Sequence, residues 1–383
     1  MSSLTPSTGA PASPEHHDLY LDWLRGLAAL SVFLTHVRGG FFVKWSDLDP
    51  SSHGPVNYVL FLLTRLGRES VIIFFVLSGY LVGGHALAAF RARRYSLPGY
   101  LAARIARLYA VVIPALLLTG VLDFLDGEWD RTRDGAQQLL VNLLFLQDIL
   151  GGTYGSNDPF WSLSYEWWFY ILFGFALFAI ACSSMRTTAI GTAVLAGSVW
   201  LLALKCPQIL LMLPLWLGGV LVSGAPALRR APKLITIPLS FAALCAALMV
   251  SNTRWDWQGD YIVGIAVAVF LYFLRTLDQR PKGAWFSLGH KLAAFSFSLY
   301  ALHFPLNKLV LSLFVQERVR HAGPREWLQW AAIVLAEVFV CWVFYWLFER
   351  RTPALRKALL RVISRGSAAN PVGRQQPSSI LHR

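Results

Sequence analysis

Charge is what this chain has least of. Only 14% of its 383 residues are Asp, Glu, Lys or Arg, where a soluble domain carries about 25%, and 56% are hydrophobic. That shortage excludes an ordinary water-soluble protein and marks an integral membrane protein. Cysteine is scarce as well. Cys182, Cys206, Cys245 and Cys341 are scattered, mostly through apolar runs, with neither metal-ligand spacing nor a plausible disulfide set, so no metal site is expected. A cleavable signal is missing too. Residues 1–18 are Ser/Pro-rich and acidic rather than basic, and no A-x-A site follows a short apolar core, so the first span is expected to stay in place. Internal repeats are absent, which counts against the inverted halves common in transporters.

What is present is a series of long apolar segments: about 19–37, 70–90, 108–125, 161–182, 188–204, 208–224, 234–251, 261–277, 292–315 and 328–348. Crossing the hydrocarbon core takes about 20 helical residues. The runs at 57–66 and 139–150 are too short and are expected to lie in the interface or re-enter. Fifteen Trp and 25 Phe suit interfacial anchoring. The net charge of +13 comes largely from loops after the even-numbered spans: Arg91, Arg93, Arg94, Arg104 and Arg107; Arg229, Arg230 and Lys233; Arg275, Arg280, Lys282 and Lys291; and the stretch from Arg350 to Arg365. By the positive-inside rule these face the cytoplasm, so the excess needs no nucleic-acid partner. The expected fold is all-α: a polytopic membrane protein of about ten transmembrane helices with both termini cytoplasmic. Its core is 19–353, between a disordered tail at 1–18 and a basic, largely disordered tail at 354–383.

Polar groups interrupt these spans, and a charge at the centre of a membrane helix costs roughly 2.5–3.5 kcal/mol on insertion scales. Arg25 and His36 are eleven residues apart, close to three turns and about 16 Å, so they share a helix face. Asp22 is placed to pair with Arg25. A buried ion pair and a satisfied histidine form the structural alternative. In DPFWSLSYEWWFY, 158–170, Glu166 falls about two turns into the fourth span, at about the depth of His36. A carboxylate there would orient the imidazole and stabilise its cation. Trp161 and Ser162 beside it are candidate substrate contacts, although an interfacial belt accounts for the tryptophans equally well. FSFSLYALHFPL, 295–306, brings His303 to mid-depth or slightly outside it, as a functional group or a structural hydrogen-bonding one. FFVLSGYLVGG, 74–84, has the small-xxx-small spacing of Gly79 and Gly83 for helix packing, with Ser78 a possible ligand contact. Arg104 and Arg107 stand on one face at the mouth of the third span. They are either ordinary positive-inside charge or a phosphate clamp.

These motifs together resemble the acyltransferase 3 family of multi-spanning membrane acyltransferases. The likeness rests on DWLRGLAALSVFLTHV, FFVLSGYL, ARIARLY, FWSLSYEWWFY, FSFSLYALHFPL and YWLFERRTP, in the family's order, across about residues 19–353. The resemblance implies ten helices and an O-acyltransferase acting as a membrane module alone or with separate polysaccharide-biosynthesis partners in the cell inner membrane. It implies transfer of a small acyl group, commonly acetyl, from cytoplasmic acyl-coenzyme A, a co-substrate rather than a resident cofactor, to a hydroxyl of an extracytoplasmic glycan or glycolipid. Carried over by position, Arg25 and His36 are the paired first-span residues, Arg104 and Arg107 the donor-side arginines, and Glu166 the glutamate of the Trp-Ser-Leu-Ser motif. The expected mechanism is direct transfer with His36 as base, poised by Glu166, and with Arg25 or His303 at the oxyanion; a covalent acyl-His is the other route. The rival class is a proton-coupled exporter with His36, Glu166 and His303 as its relay.

Overall fold

The computed structural model describes residues 19–368, apart from 183, 227, 229–231, 252–256, 278–283 and 316. In chain order the helices are α1 (Leu19–Phe41), α2 (Pro55–Leu63), α3 (Gly67–Ser78), α4 (Gly84–Arg91), α5 (Leu97–Leu125), α6 (Arg131–Asp134), α7 (Ala136–Leu143), α8 (Trp161–Ala181), α9 (Met185–Lys205), α10 (Pro207–Gly224), α11 (Lys233–Ser251), α12 (Trp257–Leu274), α13 (Ala284–Phe314), α14 (Pro324–Leu347) and α15 (Thr352–Ala368). No strand occurs among the described residues. In hydrocarbon a backbone must satisfy its own hydrogen bonds, and helices do so within one segment.

Nine helical stretches among the described residues are long and apolar enough to cross a membrane. α1 is not one of them, because Asp22, Arg25 and His36 lower its hydropathy. It is nevertheless central: it packs along α13 and α3, with Val32, Phe33 and Val37 fully buried. The protein is therefore an all-α polytopic membrane protein. α2 and α7, from the two short runs, are only nine and eight residues long.

The loops sort to two ends. Val43 N–H donates to the Val319 carbonyl (3.1 Å) and Val319 N–H to that of Phe41 (2.8 Å), so loops 38–69 and 317–323 meet. Lys308 pairs with Glu128 (3.2 Å), bringing the 126–160 segment to the same end. There Asp134 Oδ2 accepts from Asp130 N–H (2.8 Å), and Asp123 Oδ2 accepts from Ser156 N–H (2.7 Å). Burial, reinforced by the Asp123 carboxylate, pushes the Asp134 carboxyl above the usual range. At the opposite end, Arg91 donates to the Gly224 carbonyl (3.3 Å), and the Arg275 guanidinium to those of Val222 and Ala225. The cation-bearing loops thus share one end, as expected; Arg229, Arg230, Arg280 and Lys282 lie outside the described residues.

The expected disordered tail over 354–383 is corrected for its first part. Residues 352–368 form α15, which packs along α5 at the basic end. The reason this stretch is helical is amphipathicity: Leu355, Leu359, Val362 and Ile363 fall on one stripe at helical spacing, and Lys357 and Arg361 on another. Tails 1–18 and 369–383 lie outside the described residues.

Between α3 and α4 the chain makes a π-helical turn, Gly79–Gly83. It packs on α10 so closely that a Cβ on Gly79 would strike the Trp216 carbonyl and one on Gly219 the Val76 carbonyl. Small residues let membrane helices approach backbone to backbone.

Candidate active site

α1, α3, α5, α8, α13 and α15 enclose a cavity of about 1410 Å³ that extends from the basic end. At that end Arg25 Nη2 lies 2.5 Å from Asp22 Oδ1, and His290 Nδ1 lies 3.3 Å from Asp22 Oδ2. Arg107 Nη1 pairs with Glu349 Oε1 (2.9 Å), and its guanidinium sits over the Phe297 ring at 5.5 Å. Ser298 fixes the other Glu349 oxygen through its N–H (2.9 Å) and hydroxyl (2.7 Å). Arg25 and Arg107 are thereby neutralised by carboxylates. Arg104 is different: it lies over Tyr170 at 5.7 Å and has no carboxylate partner among the described residues. Its buried Nε also lacks a hydrogen-bond partner among them.

Further in, Glu166 projects from α8 into the cavity. Ser78 Oγ donates to Glu166 Oε1 (2.7 Å), Tyr170 OH donates to the same oxygen, and Trp216 Nε1–H donates to Ser78 Oγ (3.2 Å). The π-turn directly after Ser78 sets it against α8 and α10, a position typical of functional π-bulges. On the α13 wall Tyr300 hydroxyl donates to the Pro159 carbonyl (2.6 Å) and lies 2.5 Å from Ser162 Oγ.

Tyr300 lines the cavity, and its ring centroid stands 5.9 Å from that of His303, which is wholly buried one turn on. His303 Nδ1 reaches the carbonyls of Tyr300 (2.8 Å) and Leu299 (3.1 Å). A carbonyl only accepts, so Nδ1 carries the hydrogen, and in the neutral ring Nε2 is an acceptor. His36 Nδ1, 3.0 Å away, therefore donates to it. His36 Nε2 is then left with the lone pair. Phe304 abuts the His36 ring edge-on at 5.1 Å.

The expected Glu166–His36 pairing is corrected. His303, not Glu166, holds the His36 ring; Glu166 is held by Ser78 and Tyr170. The two residues are turned to different partners. Neither His36 nor His303 lines the cavity, which they adjoin through Tyr300. Trp161 does not line it either: half-buried, it packs against Phe75 (6.4 Å) and Tyr165 (5.0 Å). Asp22, Arg25, Ser78, Arg104, Arg107, Ser162 and Glu166 all do line it. Sequence reasoning passed over Tyr170, Tyr300 and Glu349. Tyr170 stood one turn from Glu166 and Tyr300 one turn from His303, while Glu349 stood beside Arg350 in YWLFERRTP.

The structure is a polytopic membrane bundle around a large cavity that is basic at one end and adjoins the His36–His303 pair, His303 fully buried and His36 partly so. The chain belongs to the acyltransferase 3 family: the family profile, described as an acyltransferase domain, matches residues 18–346. It is similar to acyltransferase MdmB of Streptomyces mycarofaciens, 32% identical over 165 residues, which are 40% of this chain and 37% of that protein. No solved structure matches it significantly.

Proposed function

We propose that the protein is a membrane O-acyltransferase. It moves a small acyl group, acetyl in the favoured case, from acyl-coenzyme A at the basic, cytoplasmic end to a hydroxyl of an extracytoplasmic glycan or glycolipid. The site in this reading is the inner membrane of the cell. The observation that carries it is the run of groups along one cavity: Arg104 without a carboxylate partner among the described residues, then Glu166 and Ser78, then Tyr300 leading to His303 and His36.

In this mechanism Arg104 takes a donor phosphate oxygen, for which a guanidinium fork is suited. Glu166 and Ser78 meet the amide groups of the pantetheine arm. The donor thioester displaces the Tyr300 wall and reaches His36. His36 Nε2 accepts the proton of the acceptor hydroxyl as its oxygen bonds to the thioester carbonyl carbon. The C–S bond then breaks, and the coenzyme A thiolate takes the proton back from His36. General-base help of this kind is worth about 10²–10⁴ in rate. Arg25, held by Asp22 near the cytoplasmic end and about 16 Å along α1 from His36, is on this reading a donor-side group and not an oxyanion stabiliser.

The test is purified protein in lipid nanodiscs with acetyl-coenzyme A labelled in the acetyl group and candidate glycans. Label appearing in an alkali-labile ester, with one free thiol released per ester, supports the reading. Label that stays on the donor while the protein moves a solute across liposomes overturns it in favour of a transporter. Mass spectrometry of surface glycans from strains with and without the chain identifies the acceptor.

A further inference from the structure

Among the described residues six cations line the cavity, Arg25, Arg104, Arg107, Arg356, Lys357 and Arg361, against two carboxylates, Asp22 and Glu166. Three of the six belong to α15, which follows α14 in the chain. Leu355 (37%), Val362 (69%) and Ile363 (38%) are exposed on one side of α15. Thr352, Pro353, Leu360 and the three cations face the cavity from another. An amphipathic helix with an outward apolar stripe beside apolar spans lies in the membrane interface, which holds its basic stripe over the cavity mouth. Arg25 and Arg107 are committed to Asp22 and Glu349, whereas Arg356 and Lys357, like Arg104, have no carboxylate partner among the described residues.

We infer that α15 is the outer half of the donor site, with Arg356, Lys357 and Arg361 binding the 3′-phosphate of acyl-coenzyme A while Arg104 serves the phosphates deeper in. This rests on the acyl-coenzyme A reading above. It assigns the 3′-phosphate to a segment beyond the matched family region, which ends at residue 346. The shared chemistry is a phosphate monoester, which a lipid headgroup also approximates, so lipid composition is one arm of the test.

The experiment is calorimetric titration of full-length protein in phosphatidylcholine nanodiscs with coenzyme A and with 3′-dephospho-coenzyme A. The wild type is expected to prefer coenzyme A by about tenfold, the scale of one charge-assisted contact. The R356Q/K357Q/R361Q variant is expected to bind both ligands alike, near the wild-type affinity for the dephospho form. The charge-conserving R356K/R361K variant keeps the preference, which separates lost charge from lost structure. A triple variant that still prefers coenzyme A overturns the inference. So does a wild type that binds both ligands alike in phosphatidylcholine discs while only the triple variant loses affinity for phosphatidylglycerol, which would assign these cations to lipid. Failure of the wild type to bind either ligand overturns the parent reading, and this one with it.

Discussion

His303 Nε2 lies 3.0 Å from His36 Nδ1, and the far nitrogen of His303 is tied to the carbonyls of Tyr300 and Leu299. The backbone of α13 therefore fixes the tautomer of a side chain on α1, and Nε2 of His36 is the basic atom. On the proposed mechanism His36→Ala lowers the single-turnover acyl-transfer rate by about 10²–10⁴ and leaves coenzyme A affinity nearly unchanged. His303→Gln, whose amide oxygen still accepts from His36, retains more activity than His303→Leu. Rapid-quench measurement with labelled donor reads all three; equal losses in the two His303 variants would discard the tautomer argument.

Among the described residues Arg104 has no carboxylate to neutralise it. Arg104→Gln should therefore raise the donor KM by about tenfold, the loss of one charge-assisted hydrogen bond, with kcat within about threefold. Steady-state kinetics with varied acetyl-coenzyme A checks this. A fall in kcat at constant KM would place Arg104 at the reacting carbonyl instead.

Arg107 carries a structural duty that Arg104 lacks. Arg107→Gln strands the Glu349 carboxylate, which is 3% exposed, and should destabilise the protein by about 1–3 kcal/mol. Adding Glu349→Gln should restore part of that loss, since removing both charges leaves nothing unpaired. Thermal unfolding of the two singles and the double in detergent forms the cycle.

Gly79→Ala would push a methyl group into the Trp216 carbonyl. Overpacking of this kind costs about 1–3 kcal/mol, and it would also disturb the Trp216–Ser78–Glu166 chain of hydrogen bonds. The expected result is a lower Tm together with a raised donor KM, whereas a loss at Gly39, where a Cβ meets nothing within 4 Å, should be minor.

The Asp134 carboxyl outside the spans gives the pH prediction. Its folded pKa is raised, chiefly by burial, so its ionised form is less at home in the folded loop than in the unfolded chain. Its contribution to stability is fully present below the unfolded pKa and is lost as pH rises through the folded one. Asp134→Asn, which still offers an oxygen to Asp130 N–H, should raise Tm relative to wild type at pH 8. The advantage should disappear as pH falls towards about 4, the ordinary carboxylate range. A difference independent of pH would remove Asp134 as its source.

Hydropathy made the spans legible: α9 and α10 begin within three residues of the apolar runs at 188 and 208. α5 shows where that signal stops. Arg104 and Arg107 break its apolarity, so the run begins at 108, although the helix starts at Leu97 after the Ser96 cap with Pro98 in its first turn. α15 escaped for the opposite reason, being too polar to register as a span. Within the site, helical spacing gave the Asp22–Arg25 pair because both partners share one helix. Depth placed Glu166 and His36 at one level but held no information about which helix faces meet, so the true partners, Ser78 and His303, could be found only once α3 and α13 were in place.

The turn at Gly79–Gly83 has a mechanical corollary. A π-turn spends more residues per revolution than an α-turn, so α4 is clocked differently about its axis from where α3 alone would have aimed it. Excising one residue there would leave everything downstream close to its present orientation, whereas tightening the turn to regular α geometry at the same residue count would swing it by about 100°, one residue's turn. His85, now on the cavity wall, and Arg91, now on the Gly224 carbonyl, would both be carried round to other neighbours. The segment is a clutch between the part of this span that anchors Ser78 and the part that meets the basic end, and its setting depends on how tightly the turn is wound.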